Sequence, residues 1–161
     1  MNDQNKNQNE NQERLQLVSF NLDSEEFGVD ILKVQEIIKM ISITKVPNAP
    51  AFIEGIINLR GKVIPVVNLR MRLGMIKKEL DKNTRIIVIE MNGKTFGFVV
   101  DSVSEVLRIE RNIIETPPEI VAGINSDFIT AVGKLEDRLL ILLDLEKIFS
   151  DKEKSELGRI A

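Results

Sequence analysis

Arg60 is the side chain whose type and setting best fit a recognition role. It stands in Leu59-Arg60-Gly61-Lys62, between two apolar runs, where a turn should hold it in solvent. A guanidinium so placed grips a carboxylate through a planar fork of donors. The plainer reading is a solvated hairpin Arg, or a local ion pair with Glu54 that contributes little. The carboxylates Asp101, Glu105, Asp137 and Asp144 fall where turns and strand ends commonly collect acids. The chain has no His and no Cys. That removes the commonest general base, the commonest metal ligand and all thiolate chemistry. Neither a Gly-rich phosphate loop nor a paired Glu/His metal motif is present. The expectation is a binding protein with no catalytic residues and no cofactor. A carboxylate-dependent hydrolase is the opposing reading, and every usual nucleophile arrangement is missing.

Composition narrows the partners. The 161 residues carry a formal net charge of −3, and only 4% are aromatic, with no Trp and no Tyr. A strongly basic footprint and a stacking platform for bases are both lacking. Apolar residues make up 43% and charged residues 29%, the balance of a globular domain. Ile, Val and Thr number 22, 14 and 5, which favours a sheet-rich fold. No apolar run approaches the ~20 residues needed to span a bilayer, and the start of the chain lacks a signal-peptide core. A cytoplasmic location is the default expectation.

The elements that must position these residues can be read along the chain. Residues 1–14 hold five Asn and three Gln and almost nothing apolar, the composition of a disordered tail. Val18, Phe20 and Leu22 alternate with polar neighbours, as a half-buried strand does. Asp23-Ser24 reads as a turn, and Glu26–Val29 as the returning strand. Ile31, Val34, Ile37 and Ile38 recur at helical spacing, which predicts a short helix leading into a strand near 41–46. Gly55–Leu59 and Val63–Val67 read as a hairpin with Arg60-Gly61-Lys62 at its tip. Pro65 argues against a central, fully bonded place for the second of these strands. Leu69–Leu73 predicts one helical turn, stopped by Gly74. Residues 145–160 predict a C-terminal helix.

The second half repeats the first. An offset of 69 places Leu17–Ile38 on Ile86–Leu107, with Phe27-Gly28 on Phe96-Gly97, Val34 on Val103 and Glu36 on Glu105. An offset of 76 places Ile56, Leu59 and Val63 on Val132, Leu135 and Leu139, and Arg60 on Glu136. Two short-strand units in the same order predict two small β-barrels, roughly 15–82 and 83–150, with strand exchange between them as one arrangement. Each is too small to bury much alone, so they should pack together as one body.

Three stretches carry a family resemblance: Asp30-Ile31-Leu32-Lys33-Val34-Gln35-Glu36-Ile37; Ala49 through Gly61 with Val63 through Arg70; and Gly97 through Leu107. Together they resemble the CheW family of chemotaxis coupling proteins, over roughly Leu15 to Phe149. The resemblance implies an all-β fold with a few short helices: two similar five-stranded SH3-like β-barrels packed together, plus a C-terminal helix. It implies a non-catalytic adaptor between the cytoplasmic tip of methyl-accepting chemoreceptors and the regulatory domain of the histidine kinase CheA. Such a protein would be recruited to membrane receptor arrays through those partners.

The same resemblance implies the sites. Val34, Gly55, Arg60, Gly97, Val103 and Val106 match receptor-binding positions. The three valines would equally suit an ordinary core, and the glycines a bulge or a close backbone approach. Ile31, Glu36 and Ile120 match kinase-binding positions, with Ile120 beside Pro118 as an apolar anchor. The rival from another class is a small-barrel nucleic-acid-binding protein. It would use the basic stretch Arg60, Lys62, Arg70, Arg72, Lys77 and Lys78.

Overall fold

The computed structural model describes residues 14–117 and 127–160. Of the tail expected over 1–14, only Arg14 falls among them, and it already opens the first strand. The strands are β1 (Arg14–Leu22), β2 (Glu25–Asp30), β3 (Val34–Lys39), β4 (Ile53–Leu59) and β5 (Lys62–Asn68) in the first half. A helical turn α1 (Leu69–Arg72) follows. The second half holds β6 (Arg85–Met91), β7 (Lys94–Val100), β8 (Ser102–Glu110), β9 (Ile114–Glu115), β10 (Ile129–Lys134) and β11 (Leu139–Leu143). A 3-10 turn at Leu145–Ile148 precedes the C-terminal helix α2 (Asp151–Ile160).

The strands form two sheets, ordered β8-β1-β2-β11-β10-β9 and β3-β6-β7-β5-β4. Each sheet draws on both halves of the chain. The first hairpin of one half pairs with the last strands of the other, through parallel ladders between β2 and β11 and between β5 and β7. The repeat holds down to its irregularities. The bulge between Val34 and Glu36 against β6 recurs where β8 runs along β1, and the bulge between Ile53 and Gly55 recurs between Ile129 and Ala131.

Closed barrels were expected, but two open sheets form: their end strands are β8 and β9 in one, β3 and β4 in the other. Each sheet buries apolar residues on both faces, and in the second sheet the end strands approach each other through a bridge from Thr44 to Ile56 and the Arg60–Glu36 pair, without a continuous ladder. Val18, Phe20, Leu22, Phe27 and Val29 of one sheet share a central core with Ile87, Ile89, Met91, Phe96, Phe98 and Val100 of the other. Leu145, Ile148, Phe149 and Leu157 close it from the C-terminal segment. Smaller cores lie outside each sheet, around Ile64, Val66 and Ile86, and around Leu17, Leu140 and Leu142. β1 is therefore buried on both faces, Leu17 through Phe20 included, and not the half-buried strand its alternation suggests.

The helix expected from Ile31, Val34, Ile37 and Ile38 is a 3-10 turn (Ile31–Lys33) followed by strand β3. The bulge is the reason. One extra residue after Val34 puts Val34 and Ile37 opposite Ile89 and Ile87, two residues of one face. Spacing by three thus arises inside a strand. Of the strand expected near 41–46, only a bridge from Thr44 to Ile56 forms. Pro65 lies in an internal strand, and the ladder from β5 to β7 begins one residue later, at Val66. The missing amide hydrogen of Pro65 falls outside that ladder.

Buried ion pairing locks the junctions. The Arg70 guanidinium, 7% exposed, donates to Asp23 and Asp101 at 2.7 Å each, and to the Ile76 carbonyl at 2.8 Å. Its pKa is raised, first by the hydrogen bond to Asp23 and further by Asp101, although burial opposes this. Arg72 lies over the rings of Phe52 and Phe149 and donates to the carbonyl of its repeat counterpart, Ile148, at 2.9 Å. Among the described residues no helix is long and apolar enough to cross a membrane.

Gly55 has φ +151°, and a Cβ there would stand 2.2 Å from the Thr44 carbonyl oxygen. Gly55→Ala should therefore cost about 3 kcal/mol in urea denaturation, as strain and overpacking combine. Gly61→Ala, with φ +84° and no atom within 4 Å of the new Cβ, should cost only about 1 kcal/mol. Because the sheets exchange strands, far-UV circular dichroism should show one unfolding transition, where two of similar size would contradict shared packing.

Candidate functional site: a paired Arg60 and Glu36 between two exposed strand edges

Arg60 and Gly61 form the two-residue turn between β4 and β5, with φ +52° and +84°. Both central residues in this region make the turn that fits the right-handed twist of a hairpin. Gly, Asn and Asp are the usual occupants; Asn92-Gly93 fills the same role between β6 and β7, at φ +52° and +77°. An Arg in this conformation costs of order 1 kcal/mol. The Asn58 side chain offsets part of that cost by accepting from the Gly61 amide at 2.8 Å. The strained backbone points to a use for the guanidinium itself.

That guanidinium does not pair with Glu54. One of its nitrogens donates to both carboxylate oxygens of Glu36, at 2.7 Å each. The Arg60 side chain remains 72% exposed, so a competing carboxylate has open access. Glu36 lies on β3, an edge strand, in a cleft with Leu59, Lys62 and Thr95. Two residues assigned to different partners by resemblance are thus joined in one ion pair.

The valines sit on equivalent edges. Val34 on β3 and Val103 on β8 are partly buried against the central core, one from each sheet. Val106 is 52% exposed, and its repeat counterpart Ile37 is 38% exposed. Ile37 is a surface residue that sequence reasoning did not single out, although the 69-residue offset points straight to it. The 76-residue offset likewise pairs Val63 with Leu139, exposed apolar residues near the starts of β5 and β11.

Gly55 and Gly97 are both buried. Gly55 lets the chain at Thr44 bridge to β4. Gly97 pairs with Val88 and Val66, as its twin Gly28 pairs with Ser19 and Leu142. A Cβ on Gly97 would stand 2.7 Å from Ile86. Both glycines therefore serve close packing beneath the surface. Ile31 is half-buried in the turn that carries the chain from one sheet to the other, and the adjacent Leu32 is 87% exposed. Ile120 lies outside the described residues.

The basic stretch proposed for nucleic acid is dispersed into separate structural contacts. Arg70 is buried and Arg72 is stacked, as described above. Arg60 holds Glu36, Lys62 donates to Thr95 Oγ1 at 2.7 Å, Lys77 lies 4.0 Å from Glu54 and Lys78 lies 3.7 Å from Asp81. The carboxylates are equally committed. Asp101 holds Arg70, Glu105 and Asp137 flank Arg138, and Asp144 caps the Glu146 amide at 3.0 Å.

Comparison with known proteins agrees with this architecture. The family described as CheW-like domain matches residues 16–153. The chain is 39% identical over 142 residues to the chemotaxis protein CheW of Klebsiella aerogenes, covering 88% of this chain and 86% of that one. It is 32% identical to the chemotaxis protein CheW of Treponema pallidum, covering 93% and 91%. Among solved structures, the scaffolding protein TtCheW of Thermoanaerobacter tengcongensis superposes with a TM-score of 0.77 at 44% identity, covering 84% of this chain and 88% of that one. The chain belongs to the CheW-like family.

Proposed function

We propose that this protein is a non-catalytic adaptor of bacterial chemotaxis. It would couple methyl-accepting receptors to the histidine kinase CheA, acting in the cytoplasm at membrane receptor arrays. The observation that carries this reading is the exposed Arg60, held in an unfavourable turn conformation and paired with Glu36. A surface ion pair contributes little to stability, so a strained backbone retained beneath it fits recognition better than folding. The three similar proteins above, which are named for chemotaxis or scaffolding, support the same direction.

In this reading Val34, Val103 and Val106 receive the receptor's helical tip. Val34 and Val103 lie at the margin of the central core and Val106 is exposed on the same edge strand as Val103, where a helix can press anchors. Arg60 would add a charge-assisted contact to an acidic receptor residue. Gly55 and Gly97 shape the backbone below. Ile31, Glu36 and Ile120 would meet the CheW-like regulatory domain of the kinase. The two faces adjoin at the Arg60–Glu36 pair, so engagement of either partner alters the electrostatic setting of the other. The nucleic-acid alternative loses its basis, since its cations are already paired with groups of the fold.

Arg60→Glu should lower receptor-dependent kinase activation at least about tenfold while changing stability by under about 1 kcal/mol. Unchanged coupling, or a large loss of thermal stability, would remove Arg60 from the site. Val106→Glu should weaken binding to a receptor fragment by about tenfold and leave affinity for the isolated kinase regulatory domain within about twofold. Equal loss of both partners in calorimetric titration would contradict separate faces.

A further inference from the structure

We infer that the cavity at the end of the β2–β11 ladder binds a small apolar molecule carrying one amine. The cavity measures about 280 Å³, close to the lower end of the range of small-molecule sites. An apolar cavity of roughly 150 Å³ already holds a benzene ring. Its floor is apolar and buried, with Leu17, Val29, Ile89, Leu142 and Leu145. The internal repeat explains why it exists. In the first half the parallel ladder runs through Val66–Gly97, Val67–Phe98 and Asn68–Val99. The matching ladder of the second half keeps Leu142–Gly28 but lacks the next two pairs, Leu143–Val29 and Asp144–Asp30. The last of these would set two carboxylates face to face, and like charges directly opposite disfavour pairing. A valine also stands where the first half buries the larger Phe98. The strands part there, and the cavity opens with both Asp30 and Asp144 in its lining.

The enclosed apolar volume makes the site, and its rim decides the charge of the occupant. Asp30, Glu90, Asp144 and Glu146 line the cavity together with Lys33 and Arg111. Four carboxylates against two cations leave a formal balance of −2, with both cations counted as fully engaged. Asp30 and Asp144 each spend an oxygen on a backbone amide, of Leu32 and of Glu146, at 3.0 Å. Those bonds leave the negative charge in place. An anionic ligand is repelled, whereas an ammonium is drawn to the rim and its ring or alkyl chain is buried on the floor. Lys33 and Glu146, 3.2 Å apart, join the turn after β2 to the turn after β11, and their side chains are 54% and 38% exposed. So exposed a pair contributes little and can part to admit a ligand. None of the described residues assigned above to receptor or kinase lines this cavity, so the site goes beyond the adaptor reading.

The test is an NMR titration of the full chain with 2-phenylethylamine, beside 2-phenylethanol and phenylacetate as neutral and anionic counterparts. The methyl signals of Leu17, Val29 and Leu142 should shift with the amine and saturate. The alcohol should bind about fivefold more weakly, and the acid about twentyfold more weakly or less. Asp144→Asn retains an oxygen for the Glu146 amide. It should lower the amine's affinity to within about twofold of the alcohol's and leave the alcohol unchanged. Ala131→Leu fills the cavity from β10 and should weaken both ligands about tenfold. Val29→Phe, which restores the first-half residue, is a second way of filling it should Ala131→Leu not fold, and a thermal melt checks each variant. Absence of shifts at these methyls would overturn the proposal. So would equal binding of the amine and either counterpart, an amine indifferent to Asp144→Asn, or undiminished binding in a folded, filled variant. None of these outcomes touches the adaptor reading, which receptor-dependent kinase activation decides separately.

Discussion

Two short parallel ladders, beside the longer antiparallel pairings of β1 with β8 and of β3 with β6, hold the two halves of this molecule together. One joins β2 to β11 and the other joins β5 to β7. Each connects strands far apart in sequence, from opposite halves of the chain. Neither half can complete a sheet alone, because its first hairpin lies in one sheet and its remaining strands in the other. Backbone groups left unpaired at those seams would be costly to bury. The ladders therefore oblige the two halves to fold as one body, and they create the central core that both sheets share.

That constraint also fixes where partners can bind. With the inner strands buried on both faces, the exposed apolar residues are confined to edges, tips and connections. The repeat produces them in pairs, Ile37 with Val106 on β3 and β8, and Val63 with Leu139 on β5 and β11. A two-sided scaffold follows from this duplication of edges. Function then depends on how the copies differ. At equivalent tips Arg60 matches Glu136, and after the last strand of each half Arg70 matches Glu146. Arg70 is buried in an ion cluster, whereas Glu146 makes an exposed pair with Lys33 at 3.2 Å. The first half thus carries the buried lock and the strained arginine turn.

Electrostatics in this fold is local. Arg138 shows the pattern: its pKa is raised chiefly by its hydrogen bond to Glu26, with Asp137 adding. Eight of the 22 Lys and Arg residues pair with an acid among the described residues.

By itself the sequence determined the strand-rich class, the hairpin with Arg60-Gly61 at its tip, the α1 turn stopped by Gly74, the internal repeat and the family. Each is a local property: a turn needs positive φ, a repeat needs only matched positions, and apolar patterning is written residue by residue. Tertiary structure decided three matters. It decided that Val34 and Ile37 share a strand face, because a bulge, not a helix, produced their spacing. It decided that the two sheets share a central core while only a bridge and an ion pair link the end strands β3 and β4, because the long-range pairings set the strand order. And it joined Arg60 to Glu36 across β3 and the β4–β5 turn. Neither residue's neighbours in sequence could reveal that pair, since it depends on strand order, which only the long-range ladders set.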